Sequence, residues 1–159
     1  MMDRMDHAGV FNKNYLVHGL PDATIEEIAA LAECSSKLAG DSLIAKGEKN
    51  GDLFVILDGS VHVYTEKGDK LAECGPGTVL GEVSLVDDGP RSAFVVCVGS
   101  VSYARLPAAA LRSYMARHKE AGFIMLANLS RVLSMRLRKT DAVMEDLRAK
   151  IEDPWKHAL

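Results

Sequence analysis

The chain has 159 residues and a mass of 17.2 kDa, one domain's worth of sequence. Area scaling leaves about 69% of the unfolded surface buried on folding, enough for a core without staples. Hydrophobic residues make up 48% and charged residues 26%, which excludes disorder as the main state. The net charge is −3, from 19 basic against 22 acidic residues, a poor balance for holding nucleic acid or an anionic membrane. Three cysteines (Cys34, Cys74, Cys97) are an odd number without CxxC spacing. They read as reduced, buried small hydrophobes rather than a disulfide framework or a zinc site. No run approaches 18 apolar residues, and the first residues, MMDRMDHAGVF, lack the apolar stretch of a secretory signal. A cytoplasmic protein is expected.

The chain divides into three parts. Up to about Cys34 it reads as helical. In PDATIEEIAALAEC, Asp22 or Thr24 is positioned to cap a helix, Glu26 and Glu27 lie near its positive end, and Ile25, Ile28, Leu31 and Ala32 form one apolar face. Residues 35–106 change character, with short β-rich runs separated by Gly, Asp and Asn. Strands are expected at 36–39, 42–45, 52–57, 60–64, 70–74, 91–98 and 101–106. Between Leu53-Phe54-Val55-Ile56-Leu57 and Val61-His62-Val63-Tyr64 stands Asp58-Gly59, a two-residue hairpin signal that asks for positive φ at both turn residues. Many short antiparallel strands point to a jelly roll or barrel, which limits open edges.

From Ala108 the chain is helical again. A short helix over 108–117 leads into a long one over about 119–152, stopped by Pro154. Phe123, Leu126, Ser130, Leu133, Leu137, Thr140, Met144, Leu147 and Ile151 alternate spacings of three and four, an a/d seam. A second stripe, Met125, Leu129 and Val132, runs beside its first half. Such a helix is about 50 Å long, more than the roughly 30 Å width of a compact domain of this size. One stripe is therefore expected to face the barrel and the other a second copy of the helix, in a parallel homodimer.

The informative stretch is GPGTVLGEVSLVDDGPRSA, residues 75–93. Gly75, Gly77 and Gly81 permit tight turns and close approach of a ligand to the backbone. Gly81-Glu82-Val83-Ser84-Leu85 starts a short helical turn whose free N–H groups suit an anion. Arg91 enters an apolar strand, where an unpaired guanidinium is costly, and arginine holds phosphate with a rigid fork. Glu82 offers two acceptors, suited to ribose hydroxyls. On these residues alone, an internal Glu82–Arg91 salt bridge closing a surface loop stays open as the alternative.

GEVSLVDDGPRSA resembles the phosphate-binding cassette of cyclic-nucleotide-binding domains: Gly-Glu, two small or apolar residues, a variable loop, then Arg, a small or hydroxyl residue, and Ala. Upstream, Gly47, Gly51-Asp52, Phe54-Val55-Ile56 and Gly59-Ser60-Val61 resemble the family's Gly-Asp…Gly hairpin. The likeness covers about residues 23–150 and extends to the sensor domain of the catabolite activator and of cyclic-nucleotide-dependent kinase regulatory subunits. It implies an eight-stranded antiparallel β-roll with an N-terminal helix and a long C-terminal helix. It also implies roles: Glu82 accepting the ribose 2′-hydroxyl, Arg91 pairing with the cyclic phosphate, Ser92 donating to it, and the backbone N–H groups of Gly81, Val83 and Ser84 lining the floor, with Ala93 closing the motif. Cyclic AMP is the implied ligand, with cyclic GMP as the alternative, because Ser92 lies between the Ala and Thr that mark the two preferences in the family. Leu133, Ser134, Arg136, Leu137, Arg138 and Thr140 on the long helix are the candidates to cover the base, and Arg136 is carried forward as a binding residue.

The expected organisation is an N-terminal arm (1–22), the nucleotide-binding roll with its flanking helices (23–118), and the long helix and tail (119–159). No Walker A motif, HExxH, GxSxG or metal-spaced His/Cys cluster is present, so an enzyme with a catalytic or metal site is not expected. The five histidines are scattered, and His62 reads as a satisfied barrel residue. The catabolite activator continues into a helix-turn-helix domain, whereas here 68 residues follow Arg91 and strands and helices consume them. The expectation is a stand-alone sensor that binds no DNA and signals through its C-terminal helix to a protein partner. The alternative is a regulator-like, channel or kinase regulatory fragment with a degenerate nucleotide site.

Overall fold

The computed structural model describes residues 4–45, 47–91 and 93–152. Before the first strand the chain forms helix α1 (Arg4–Asn12), a 3-10 turn (Tyr15–Val17) and helix α2 (Asp22–Ala29). The arm is built into the core, since Phe11, Leu16, Val17 and Leu20 are buried. Asn14 is buried in the bend: its side chain donates to Phe11 O (2.6 Å) and accepts from Leu16 N (3.0 Å). The expected apolar face of α2 is present, with Ile25 and Ile28 buried and Leu31 and Ala32 packed beside them. Its cap differs from expectation. Pro21, in extended conformation, holds the N-cap position, and neither Asp22 nor Thr24 caps; Asp22 instead sits in the first turn, beside the positive end.

Eight antiparallel strands follow: β1 (Glu33–Lys37), β2 (Ser42–Ile44), β3 (Leu53–Asp58), β4 (Val61–Tyr64), β5 (Lys70–Cys74), β6 (Val79–Leu80), β7 (Phe94–Cys97) and β8 (Val101–Leu106). They form two four-stranded sheets, ordered β1-β8-β3-β6 and β2-β7-β4-β5, the jelly roll that the resemblance implied. β6, two residues long, is the strand that the reading of the residues lacked. β1 begins three residues earlier than expected, in register with β8 from Glu33 opposite Arg105.

The Asp58-Gly59 hairpin is a correction. β3 and β4 lie in different sheets and do not pair, because β8 and β6 already occupy both edges of β3. Of the two turn residues only Gly59 has positive φ (+85°). A Cβ there would lie 2.3 Å from Ser100 O, so glycine is required where the chain crosses from one sheet to the other beneath the β7–β8 turn. β3 itself is buried from Leu53 to Leu57. Leu53, Val55 and Leu57 face a core shared with the helices, while Phe54 and Ile56 face the core between the sheets. The cysteines are free, but Cys34 on edge strand β1 is exposed and Cys74 half-buried; only Cys97 is buried as expected.

Between β6 and β7 lies helix α3 (Glu82–Asp87), and after β8 come α4 (Ala108–Arg117) and α5 (Lys119–Glu152). α4 is pinned to α2 by Tyr114, whose hydroxyl donates to Glu27 Oε2 (2.6 Å). α4 and α5 cross closely at Gly122, where a Cβ would lie 2.9 Å from Met115 O. The two stripes of α5 separate only in part: Met125 and Leu129 of the second stripe are buried in the helix-side core, but Leu133 of the seam also packs against it. Phe123, Leu126, Leu137, Met144, Leu147 and Ile151 of the seam are exposed. No described helix is long and apolar enough to cross a membrane.

Candidate functional site

The cassette is built around Gly81. Its φ of +88° makes it the N-cap of α3, and a Cβ there would lie 2.5 Å from Arg91 Nη1 and 2.8 Å from Asp52 O. No other residue type fits both the backbone and the space. Glu82 opens α3, with its acidic group in the first turn, and is only 3% exposed. Ser84 is also buried, whereas the Val83 side chain faces outward.

Arg91 reaches the same place from the other end of the loop. Its backbone is tied to the 45–50 turn, Arg91 N donating to Glu48 O and Gly47 N to Arg91 O, both at 3.0 Å. Its side chain is 5% exposed. Nη1 donates to Gly81 O (3.1 Å) and Nη2 to Asp52 O (2.7 Å), both neutral carbonyls. Nε is buried and has no hydrogen-bond partner. Burial pushes the Arg91 guanidinium down from its ordinary value, opposed by the charges of Glu48 and Asp52. No carboxylate pairs with Arg91 among the described residues, so the Glu82–Arg91 salt bridge is absent.

Glu82 is paired elsewhere. Its Oε1 accepts from Arg136 Nη1, which comes from α5, 54 residues along the chain. The charge of Arg136 also reaches Tyr15 and Cys74: burial pushes the Tyr15 phenol and the Cys74 thiol up, and Arg136 opposes both. The guanidinium thus sits among the N-terminal bend, the end of β5 and the cassette. Among the other helix candidates, Leu133 packs into the core, Ser134 and Arg138 are exposed, and Thr140 donates to Arg136 O within the helix. Ser92 lies outside the described residues, and Ala93 is half-buried at the head of β7.

Two supporting residues escaped the sequence reading. Asp52 gives its carbonyl to Arg91, Oδ1 to Ala108 N at the start of α4 (2.8 Å), and Oδ2 to Arg105 of β8, which also pairs with Glu33. Asp52 was visible in the Gly51-Asp52 motif, but nothing local marks its carbonyl as a receptor for Arg91. Arg112 of α4 donates to Leu85 O (2.8 Å) and pairs with Asp88, the residue with φ +54° that ends α3. Arg112 satisfies carbonyls that the short helix leaves open and so fixes α3 against α4.

The shape of the site therefore combines a desolvated cation fed by neutral carbonyls, a spare buried N–H, and a buried carboxylate bound to the long helix. The model of the cyclic nucleotide-binding domain matches residues 36–118, and the chain belongs to that family. A glutaminase, Glutaminase 2 of Bradyrhizobium diazoefficiens, is 32% identical over 133 residues, 82% of this chain but 21% of that protein. The CRP-like cAMP-activated global transcriptional regulator of Mycobacterium tuberculosis is 32% identical over 112 residues, 68% of this chain and 48% of that protein. The chain thus spans less than half the length of either curated relative. The crystal structure of the catabolite activator protein of Thermus thermophilus superposes with a TM-score of 0.76 at 26% identity, covering 85% of this chain and 63% of that one.

Proposed function

We propose that this chain is a cyclic-nucleotide sensor that binds cyclic AMP in preference to cyclic GMP. The carrying observation is Arg91: a buried guanidinium with no carboxylate paired to it among the described residues and an Nε without a hydrogen-bond partner there. A desolvated cation of this kind is costly until an anion arrives, and the cyclic phosphate supplies one. In this reading the phosphate pairs with Arg91, takes a hydrogen bond from Ser92, and meets the backbone N–H groups of Gly81, Val83 and Ser84. The ribose 2′-hydroxyl donates to Glu82. The same Arg91 argues against a degenerate, structural site. The cAMP-activated relative supports the choice of base.

The ribose hydroxyl and Arg136 meet at one carboxylate. A bound nucleotide therefore changes how Glu82 holds α5, and the helix takes the arrangement to which the ligand binds better. The signal leaves through the outer half of α5, whose exposed seam suits a second copy in a parallel homodimer and, through it, a protein effector. The chain acts by binding, with no turnover of the ligand. Isothermal titration with both nucleotides tests this: cyclic AMP binds with saturable heat and more tightly than cyclic GMP, and is recovered intact. Tighter cyclic GMP would reverse the preference, and absent heat with both would reject the reading.

A further inference from the structure

No carboxylate pairs with Arg91 among the described residues, yet the charges of two reach it, Glu48 first and Asp52 second. Glu48 is exposed, so water screens it, and its Oε2 accepts from Ala45 N (3.3 Å). Asp52 is different. Its side chain is only 13% exposed, and its main-chain carbonyl accepts from Arg91 Nη2 at 2.7 Å. The less screened carboxylate thus belongs to the very residue that touches the guanidinium. That carboxylate is engaged elsewhere: Oδ1 accepts from Ala108 N (2.8 Å) and Oδ2 from Arg105 Nη1. Strand register brings Arg105 there. It stands on β8 opposite Phe54 of β3, two residues after Asp52, and opposite Glu33 of β1, with which it also pairs. In this partly buried setting, an Asp52 charge left unmatched by Arg105 would fall on Arg91 instead. An anion arriving from solvent would then meet a cation already compensated.

We propose that Arg105 is a positioning residue for anion binding: it holds and neutralises the Asp52 carboxylate, and so keeps the charge of Arg91 available to a ligand. Arg105 acts through Asp52, and its electrostatic part separates from any bracing of β1, β3 and β8. If Arg105 only braced the strands, removing the charge of Asp52 as well would leave the damage as it is or deepen it. In the proposed role that second change repairs the first, because the charge competing with the incoming anion is gone. The consequence for cyclic AMP rests on the nucleotide reading above; the effect on Arg91 itself does not.

The test reads each variant in two ways. One is affinity for cyclic AMP by isothermal titration. The other, without ligand, is the proton resonance of the Arg91 Nε–H, assigned by its loss in Arg91→Ala. In Arg105→Ala the affinity should fall about tenfold, as suits one unit charge laid bare near another in a partly buried site, and the Nε–H resonance should shift. Arg105→Gln keeps a donor without the charge and carries the same expectation should the Ala variant not fold in a thermal melt. Arg105→Lys keeps a cation beside Asp52 and should retain most of the affinity. Adding Asp52→Asn to Arg105→Ala should recover most of the loss and return the resonance toward the parent. Adding Glu33→Gln instead removes an equal charge from the more exposed partner of Arg105 and should recover little. An unchanged resonance in Arg105→Ala, no recovery with Asp52→Asn, or equal recovery with Glu33→Gln would overturn the proposal. A parent that binds no cyclic AMP yet shows the expected resonance pattern would reject the nucleotide reading and still support the role of Arg105.

Discussion

Arg91 and Glu82 lie in one short loop and are buried to almost the same degree, yet the fold treats them in opposite ways. Arg91 is held by main-chain carbonyls of the β-roll, with no carboxylate paired to it among the described residues. Glu82 is given a full counterion, but from α5, an element on the far side of 54 residues of chain. The difference divides the site into a preorganised half and a switchable half. In the proposed reading, the β-roll holds the place of the anion in advance, so that binding there requires little rearrangement. The carboxylate half is already satisfied, so a ligand that uses it must compete with or share the helix.

Substitutions can break this contrast from either side. The largest effect is expected at Gly81. Gly81→Ala combines a left-handed backbone, about 1–2 kcal/mol by itself, with a Cβ driven against Arg91 and the Asp52 carbonyl. A fall in Tm of about 5 °C or more in a thermal melt is expected. Gly77→Ala is the control, since its φ is also positive (+89°) but nothing lies within 4 Å of its Cβ, and its Tm should fall less. Equal falls would remove close approach as the reason for glycine in the cassette.

Next is the switchable half. Arg136→Ala leaves the Glu82 carboxylate buried and without its partner. A fully buried pair broken in this way loses about 3–5 kcal/mol; Arg136 is about half exposed, so about 1–2 kcal/mol is expected here. Hydrogen exchange should quicken in α5 near residue 136 while β3 and β8 remain protected. Uniform quickening would mean that the pair supports the whole fold rather than the helix contact.

Away from the site, Tyr114→Phe should cost about 1 kcal/mol in denaturant unfolding through the lost bond to Glu27. Burial, with Glu27 beside it, pushes the Tyr114 phenol up to about 12 from 10.0. A raised value favours the protonated form on folding. The stabilisation is therefore complete below pH 10 and is lost as the pH rises toward about 12. The parent should lose stability over that window more steeply than the Phe variant. The smallest effect belongs to the exposed seam: Leu147→Glu should move stability by less than about 0.5 kcal/mol. If α5 pairs with a second copy, light scattering at micromolar concentration should show the parent at twice the monomer mass and the variant near the monomer. A monomeric parent would end that part of the account.

Much of the architecture is legible in local pattern. The bounds of α5 follow from its heptads and Pro154, and those of β5 and β8 from apolar runs between turn residues. Among the expected site residues, Arg91 is marked in the sequence by a charge entering an apolar strand, Glu82 by its pair of acceptors, and Arg136 only by the family resemblance. What escapes is nonlocal. Asp58-Gly59 reads as a hairpin until both edges of β3 are known to be filled; the unbroken run Leu53–Leu57, apolar on both faces, was the signal for a central strand. Asp52 holds Arg91 through a carbonyl that every residue possesses, so its identity carries no mark of that contact. β6 is too short to have a period, and Tyr15 enters the site only because the N-terminal bend folds onto α5.

The central claim is that Arg91 stands as a buried cation awaiting an anion. It is tested most directly by isothermal titration of cyclic AMP into the protein and into Arg91→Ala, with far-ultraviolet circular dichroism confirming that both are folded. A charge-assisted bond contributes about 1.5–3 kcal/mol, so affinity should fall by a factor of about ten to over a hundred in the variant. Equal affinities and heats for the two folded proteins would contradict the account.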